Sequence, residues 1–292
     1  MIAGIELGGT KCICMLATFE GKIAERVRIA TTDPDTTLAA IEDTVAGWCG
    51  IDAIGIASFG PIAIDRASPD YGWITATPKP GWAGTDVAGR IERRFGVPVG
   101  FQTDVVGAAL AEGEWGASRQ LADHAYVTIG TGVGVGLVAS ARPVVGLTHQ
   151  ELGHFRPVRR EGDDWPGNCP FHGACCEGLA SGPAIAARTG RRADALPAEW
   201  PAWALVAHPL AQLCHLLVLT GIPRRIVFGG GVALGALALL PLVREMLDAS
   251  LGDYGDRALL GDLDAFIVPA ELGADAGPLG AILLGRQALA DG

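Results

Sequence analysis

Two stretches of this sequence, far apart in the chain, are built alike. Met1 to Leu16 reads M-I-A-G-I-E-L-G-G-T-K-C-I-C-M-L, and Ala125 to Leu137 reads A-Y-V-T-I-G-T-G-V-G-V-G-L. Each is a strand-like apolar run, a glycine-rich tip and a second apolar run, which is the pattern of a β-hairpin. Helical and strand patterns alternate after each one. The pair therefore predicts two α/β halves, a structural duplication with little sequence identity. Glycines at a tip let the backbone come close to a ligand, and the exposed N–H groups form a small anion nest. Thr10 and Lys11 add a hydroxyl and a cation to the first tip. Glu6, on the strand before it, can hold the magnesium ion of a metal–nucleotide complex. One such tip is only a glycine-rich turn; two of them can share the phosphates of one nucleotide.

Between the hairpins, Leu38, Ile41 and Val45 give Asp35 to Trp48 helical spacing, and Ile51 to Ser58 reads as a buried strand ended by Phe59-Gly60-Pro61. Thr77 to Trp82, T-P-K-P-G-W, is either a sugar-stacking or closing loop or a plain connection packed by Trp82. Asp86 to Phe95 reads as a short helix ending at Gly96, and Val97 to Gln102 as a strand. Thr103-Asp104 then opens a helix. A carboxylate there is either an N-cap or a catalytic group presented at the carboxyl end of a strand. Further on, Ser181-Gly182-Pro183 starts a helix, and Trp203 to Leu219 has the length and spacing of a core helix. Its His208 and His215 suit edge or internally satisfied positions. Arg225 to Phe228 runs into Gly229-Gly230-Gly231 and a helix, a junction that gives an anion or a flat ring access to backbone. Ala265 to Val268 reads as a last strand, and Gly280 to Ala290 as a closing amphipathic helix.

Thr148 to Ser181 holds three of the seven cysteines and three of the six histidines. His154 precedes a loop, and Cys169, His172 and Cys175 follow at three-residue steps. Two thiolates and two imidazoles make a closed tetrahedral zinc shell, which would clamp a Gly/Pro/Asp-rich loop too poor in apolar residues to order itself. Four potential ligands so spaced are hard to obtain by chance. Cys176 is an alternative to Cys175.

Composition narrows the classes. Forty-nine per cent hydrophobic and 18% charged residues over 292 positions describe an ordered chain with room for one large or two medium domains. A net charge of −10 argues against nucleic acid or an anionic membrane as the main partner. No basic, apolar leader is visible, no uninterrupted apolar run approaches the roughly 20 residues of a membrane span, and seven cysteines suit free thiols of a reducing compartment. The expected location is the cytoplasm.

With these pieces placed, the chain resembles the ROK (repressor, open reading frame, kinase) family, and within it the bacterial fructokinases. The resemblance runs almost end to end. It rests on G-I-E-L-G-G-T-K at Gly4–Lys11, T-P-K-P-G-W at Thr77–Trp82, T-D-V at Thr103–Val105 and G-T-G-V-G-V-G at Gly130–Gly136. E-L-G-H at Glu151–His154, C-P-F-H-G-A-C-C-E-G-L-A-S-G-P-A-I at Cys169–Ile185 and G-G-G-V at Gly229–Val232 complete it. The resemblance implies an α/β, actin-like and hexokinase-like (ribonuclease H-like) fold of two domains with an interdomain cleft and a zinc-stapled loop. The expected domains are 1–115, with the helix at 280–292 packed back on it, and 116–279, containing a zinc module at 151–178.

It also implies an ATP-dependent hexose kinase. Asp104 would be the catalytic carboxylate, and Thr103, Glu151, His154 and Glu177 would bind sugar. Gly9, Thr10, Lys11, Gly130, Thr131, Gly132, Gly229, Gly230 and Gly231 would bind ATP, with Pro183 beside the adenine. His154, Cys169, His172 and Cys175 would hold zinc and Glu6 magnesium. Glu6 stands where many relatives have Asp, and Gln102-Thr103-Asp104 replaces the Asn-Asp of the glucokinase branch. The C-P-x-H-G form favours fructose over mannose, glucose or N-acylmannosamine. ROK regulators carry a DNA-binding helix-turn-helix ahead of the first hairpin, for which a hairpin starting at Met1 leaves no room. An idle sugar sensor is the other rival, against which Asp104 speaks. Relatives suggest a homodimer.

Overall fold

The computed structural model describes residues 1–291 except Ile222, Leu237, Asp253 and Tyr254, with backbone alone at 255 and 256. Strands and helices follow as β1 (Ile2–Leu7), β2 (Lys11–Ala17), β3 (Ile23–Ala30), α1 (Pro34–Ala46), β4 (Ala53–Ser58), β5 (Trp73–Ile74), β6 (Thr85–Asp86), α2 (Ala88–Phe95), β7 (Val99–Thr103) and α3 (Asp104–Glu114). Then come β8 (His124–Ile129), β9 (Val133–Ala139), β10 (Arg142–Pro143), α4 (Cys176–Ala180), α5 (Gly182–Thr189), α6 (Trp203–Gly221), β11 (Ile226–Gly229), α7 (Gly230–Gly235), α8 (Leu239–Leu251), α9 (Leu263–Phe266), β12 (Ile267–Pro269) and α10 (Ala276–Asp291).

The chain divides into two compact units. One is Met1–Ala111 with Val144–His149 and Ala274–Gly292; the other is Glu112–Pro143 with Gln150–Gly273. The first change of unit thus falls inside α3, and the second unit is interrupted by six residues that belong with the first. Each unit has one five-stranded sheet. The orders are β3-β2-β1-β4-β7 and β10-β9-β8-β11-β12. Position by position these are the same sheet: a hairpin whose first strand pairs in parallel with one later strand, which pairs in parallel with another, and a third antiparallel strand outside. The duplication expected from two glycine tips is therefore a duplication of the whole strand order.

In the first unit, one sheet face buries Ala3, Ile5 and Leu7 against Leu38, Ile41 and Val45 of α1 and Ile91 of α2. The other face receives α10, and glycines decide how. Gly4, Gly55 and Gly100 stand level on the three adjacent parallel strands. A Cβ at Gly55 would lie 1.8 Å from the carbonyl oxygen of Ala281, and one at Gly100 2.2 Å from that of Leu284. The row is a trough that lets a helix backbone rest on the sheet backbone, closer than side chains normally allow. Gly280 of α10 meets Gly107 of α3 equally closely, with 2.1 Å from a built Cβ to its backbone.

Two readings of the C-terminal region need correction. α10 is not amphipathic: it starts at Ala276 rather than Gly280, and positions 276–285 are all buried, because it is enclosed on more than one side. Residues 263–266, read partly as strand, form α9, and the strand is only Ile267–Pro269. The remaining departures are terminal shifts of a few residues, apart from β3, the short β5, β6 and β10, and the helices α4 and α8, for which the apolar spacing carries no separate expectation. In the second unit α6 supplies Val206, Leu210, Leu213 and Leu217 to a core shared with α8 and the sheet. This helix is apolar and long enough to cross a bilayer, but those positions are filled by the core.

Candidate active site and metal centre

The catalytic candidate sits at the junction of β7 and α3. Thr103 is the last strand residue; its Oγ1 accepts a hydrogen bond from Val106 N at 3.3 Å, while Asp104 Oδ1 accepts from Val105 N at 2.8 Å. Both side chains cap the helix, so capping and presentation are not exclusive: orphan N–H groups fix the carboxylate at the carboxyl end of a parallel strand. Gln102 is buried and turns back, its Oε1 accepting from Thr103 N at 2.9 Å.

Glu6 lies two strands away, level with Ala57 and Gln102. Burial, and then the charge of Asp104, push its carboxyl up from 4.5 to about 7. Its Oε1 rests on Gly277 of α10, where a Cβ would come within 2.1 Å. A buried carboxyl whose proton affinity a second carboxylate raises makes a place where a cation would be favoured. The first glycine tip is closed by Gly8 N to Lys11 O at 3.1 Å, and Thr31 braces it from behind, its Oγ1 donating to Gly8 O at 2.7 Å. Gly9, Thr10 and Lys11 are exposed, and nothing lies within 4 Å of a Cβ built on Gly9.

The second unit gathers the other candidates. Its tip is closed by Gly130 N to Gly132 O at 2.9 Å and tied to the start of α5 by Gly182 N to Gly130 O at 2.8 Å. Pro183 therefore stands beside Gly130. The triple-glycine turn packs here too: Gly230 has φ +85° and touches the carbonyl of Ile129, a conformation and a proximity that exclude a side chain. The three glycines differ in kind. A Cβ on Gly229 would strike the hydroxyl of Tyr126 at 2.0 Å, so that position serves packing, whereas Gly231 is open. Thr131 is exposed at the tip. Glu177, in the first turn of α4, accepts from Val133 N through Oε2 at 3.1 Å and fills the space beside Gly132.

Glu177 also adjoins the cysteine–histidine cluster. One ligand atom each from His154, Cys169, His172 and Cys175 all lie within 4.8 Å of one another. Cys169 Sγ is 3.8 Å from His154 Nδ1 and 3.7 Å from His172 Nδ1; Cys175 Sγ is 3.6 Å from His154 Nδ1. The S–N edge of a tetrahedron with metal–ligand bonds of about 2.3 and 2.05 Å is about 3.6 Å. These three S–N separations thus match the edges of a zinc-sized tetrahedron. Cys176 is excluded as the alternative ligand: it is fully buried and its thiol faces the carbonyl of Pro209. The knuckle is closed by paired bonds between Cys169 and Gly173, N to O at 3.2 and 2.9 Å. His154 ends a 3-10 turn, Leu152–His154, whose Gly153 lies against the carbonyl of Val133. Glu151 leads into that turn, its carbonyl accepting from His154 N at 3.0 Å.

The loop ahead of the knuckle is secured by groups that no short motif reveals. Arg188 of α5 makes a two-pronged contact with Asp163 at 2.6 and 3.4 Å and lies over the Trp165 ring. Burial tends to raise the Asp163 carboxyl, but Arg188, with Arg159, holds it below its usual value. Gln212 grips both backbone groups of Val158 at 2.8 Å, and His208 shares the carbonyl. His215 is paired with Ser250 at 2.6 Å, so both helix histidines are satisfied locally. Acid and base here are 25 residues apart, beyond any local spacing rule.

A phosphate-type glycine tip in each unit, a strand-end aspartate and a Cys/His knuckle on a duplicated five-strand sheet define a two-unit kinase-like protein. The ROK family model matches residues 2–288, and the chain belongs to that family. It is 40% identical to the fructokinase of Pediococcus pentosaceus over 289 residues, 99% of each chain. It is 41% identical to that of Zymomonas mobilis over 292 residues, covering 97% of this chain and 96% of that protein. A ROK glucokinase from Streptomyces griseus, solved in complex with glucose and AMPPNP, superposes with a TM-score of 0.76 at 25% identity, covering 98% of this chain and 99% of that one. The expectation of a ROK protein nearest to bacterial fructokinases holds.

Proposed function

We propose that the chain is an ATP-dependent kinase that phosphorylates the primary hydroxyl of a hexose, with D-fructose, giving fructose 6-phosphate, as its preferred substrate. The observation that carries this reading is the carboxylate of Asp104, fixed at the end of β7 by bonds to the first turn of α3. The identity of about 40% to fructokinases over nearly the full chain supports the choice of sugar.

In the reaction, Asp104 accepts the proton of the sugar hydroxyl as its oxygen bonds to the γ-phosphorus. The bond from that phosphorus to the β–γ bridging oxygen breaks, and ADP leaves. Positioning and charge neutralisation dominate such a transfer, and the base orients the hydroxyl. Glycines 9, 130 and 231, together with Thr10, Lys11 and Thr131, receive the phosphates. Gly132, Gly229 and Gly230 shape the turns, and Pro183 borders the adenine. Glu6 would hold magnesium, which neutralises phosphate charge when bound. Zinc on His154, Cys169, His172 and Cys175 would be structural, keeping Glu151, His154 and Glu177 on the sugar hydroxyls. Thr103 completes the sugar contacts.

The protein works as a homodimer in the cytoplasm. The deciding experiment is ADP release with magnesium–ATP across fructose, mannose, glucose and N-acylmannosamine. Fructose should give the highest kcat/KM; a clear preference for another sugar overturns the substrate, and no turnover with any of them favours a sensor.

A further inference from the structure

We propose that Lys79 is a phosphate-binding residue of the nucleotide site, its ammonium supplying positive charge to the terminal phosphates at the first glycine tip. This rests on the kinase reading above and adds a residue to it.

Lys79 belongs to the Thr77–Trp82 segment, whose composition alone suits either a sugar loop or a connection. Its ammonium donates to the carbonyl of Gly9 at 2.6 Å, so a residue 70 positions away in sequence places its charge on the tip itself. An ammonium has three N–H bonds and this contact uses one. Around the same turn, the amides of Gly9 and Thr10 have no hydrogen-bond partner among the described residues. Nothing occupies the space over Gly9, and Lys11 follows immediately. Unengaged amide donors flanked by two cations form a nest suited to an anion with several oxygens.

The segment is not a mobile arm. Trp82 is fully buried, its indole N–H donates to the carbonyl of Thr32 at 2.8 Å, and its ring meets Phe59 edge-on with centroids 5.3 Å apart. Thr31, beside Thr32, braces the tip through Gly8. One short stretch of chain therefore fixes both the tip and the loop that carries the lysine, and charge held ready in this way needs no reorganisation when phosphate arrives. Against a sugar contact stands the partner itself: the side chain is committed to the hairpin tip.

The test compares wild type with Lys79→Met and Lys79→Arg. Titration calorimetry measures binding of magnesium–AMPPNP and of adenosine, the former at low and at raised salt. Met at 79 should weaken AMPPNP by roughly 10- to 100-fold, leave adenosine unchanged and flatten the salt dependence, because one screened charge pair is gone. Arg should restore most of the affinity. The proposal is overturned if the Met variant binds AMPPNP within about twofold of wild type. It is also overturned if affinity falls while the salt dependence stays that of wild type, since the lysine then only props the Gly9 carbonyl. Failure of the wild-type protein itself to bind AMPPNP sinks the kinase reading, whatever the variants do.

Discussion

Removing the carboxylate of Glu112 should cost this protein about 4 kcal/mol. The side chain is 0% exposed, yet it is charged-acceptor chemistry that fills the site. Oε2 accepts from Ala117 N at 2.7 Å and from Glu271 N at 3.3 Å, while Oε1 accepts from Leu272 N at 2.9 Å. One carboxylate thus holds the turn after α3 and the segment that leads towards α10, 160 residues later in sequence. A hydrogen bond to a charged group is worth about 1.5–3 kcal/mol net. The two short bonds alone therefore span about 3–6 kcal/mol. For Glu112→Ala that corresponds to a fall in melting midpoint of roughly 10 °C, taking about 2–4 °C per kcal/mol for a chain of this size. Glu112→Gln preserves volume but turns an NH2 towards backbone donors, so it should recover less than half of the loss. Calorimetric melting of the three proteins, with circular dichroism before heating, measures both. A midpoint for the Ala variant within about 2 °C of wild type would show that the three bonds are worth little, and the reasoning would fail.

Asp104→Asn should lower turnover by about 10²- to 10⁴-fold with nearly unchanged nucleotide affinity; near-normal rates in an ADP-release assay would leave only the capping role. Stripping metal with a chelator, followed by metal analysis, should release one zinc per chain and lower the melting midpoint, and Cys175→Ser should reproduce the effect while Cys176→Ser should not remove the metal. Without divalent cations, Glu6 should make stability fall with rising pH. Its carboxyl keeps a proton in the folded state up to about 7 but loses it near 4.5 when unfolded, so the protein binds more protons folded, and the loss accrues between those values. The total is about 3 kcal/mol, and Glu6→Gln, compared in denaturant titrations at pH 4.5 and 8, should abolish that slope. Gly55→Ala should dislodge α10 or prevent folding, because its Cβ would meet backbone at 1.8 Å and backbone cannot swing aside; a soluble variant with wild-type melting would refute the trough.

The local features were legible in the sequence because their causes are local. Alternating apolar residues around a glycine turn specify a hairpin wherever they occur, and both hairpins formed as read. Cys169, His172 and Cys175 are close enough in sequence for a single tight knuckle to converge them, and a carboxylate between strand and helix caps that helix. What the sequence left open was settled by partners brought from far away. Cys175 rather than Cys176 joins the cluster because the neighbouring thiol is turned into the core against Pro209. Glycines at 4, 55 and 100 reveal nothing in a pattern of apolar spacing, since their role is the absence of atoms under a helix that arrives from the chain's other end. For the same reason α10 looked amphipathic: periodicity assumes one buried face, and a helix enclosed on more than one side has no such face. The lysine at 79, the clasp of Asp163 by Arg188 and the buried Glu112 were likewise decided by tertiary structure alone, because a charge is informative only once its neighbours in space are known.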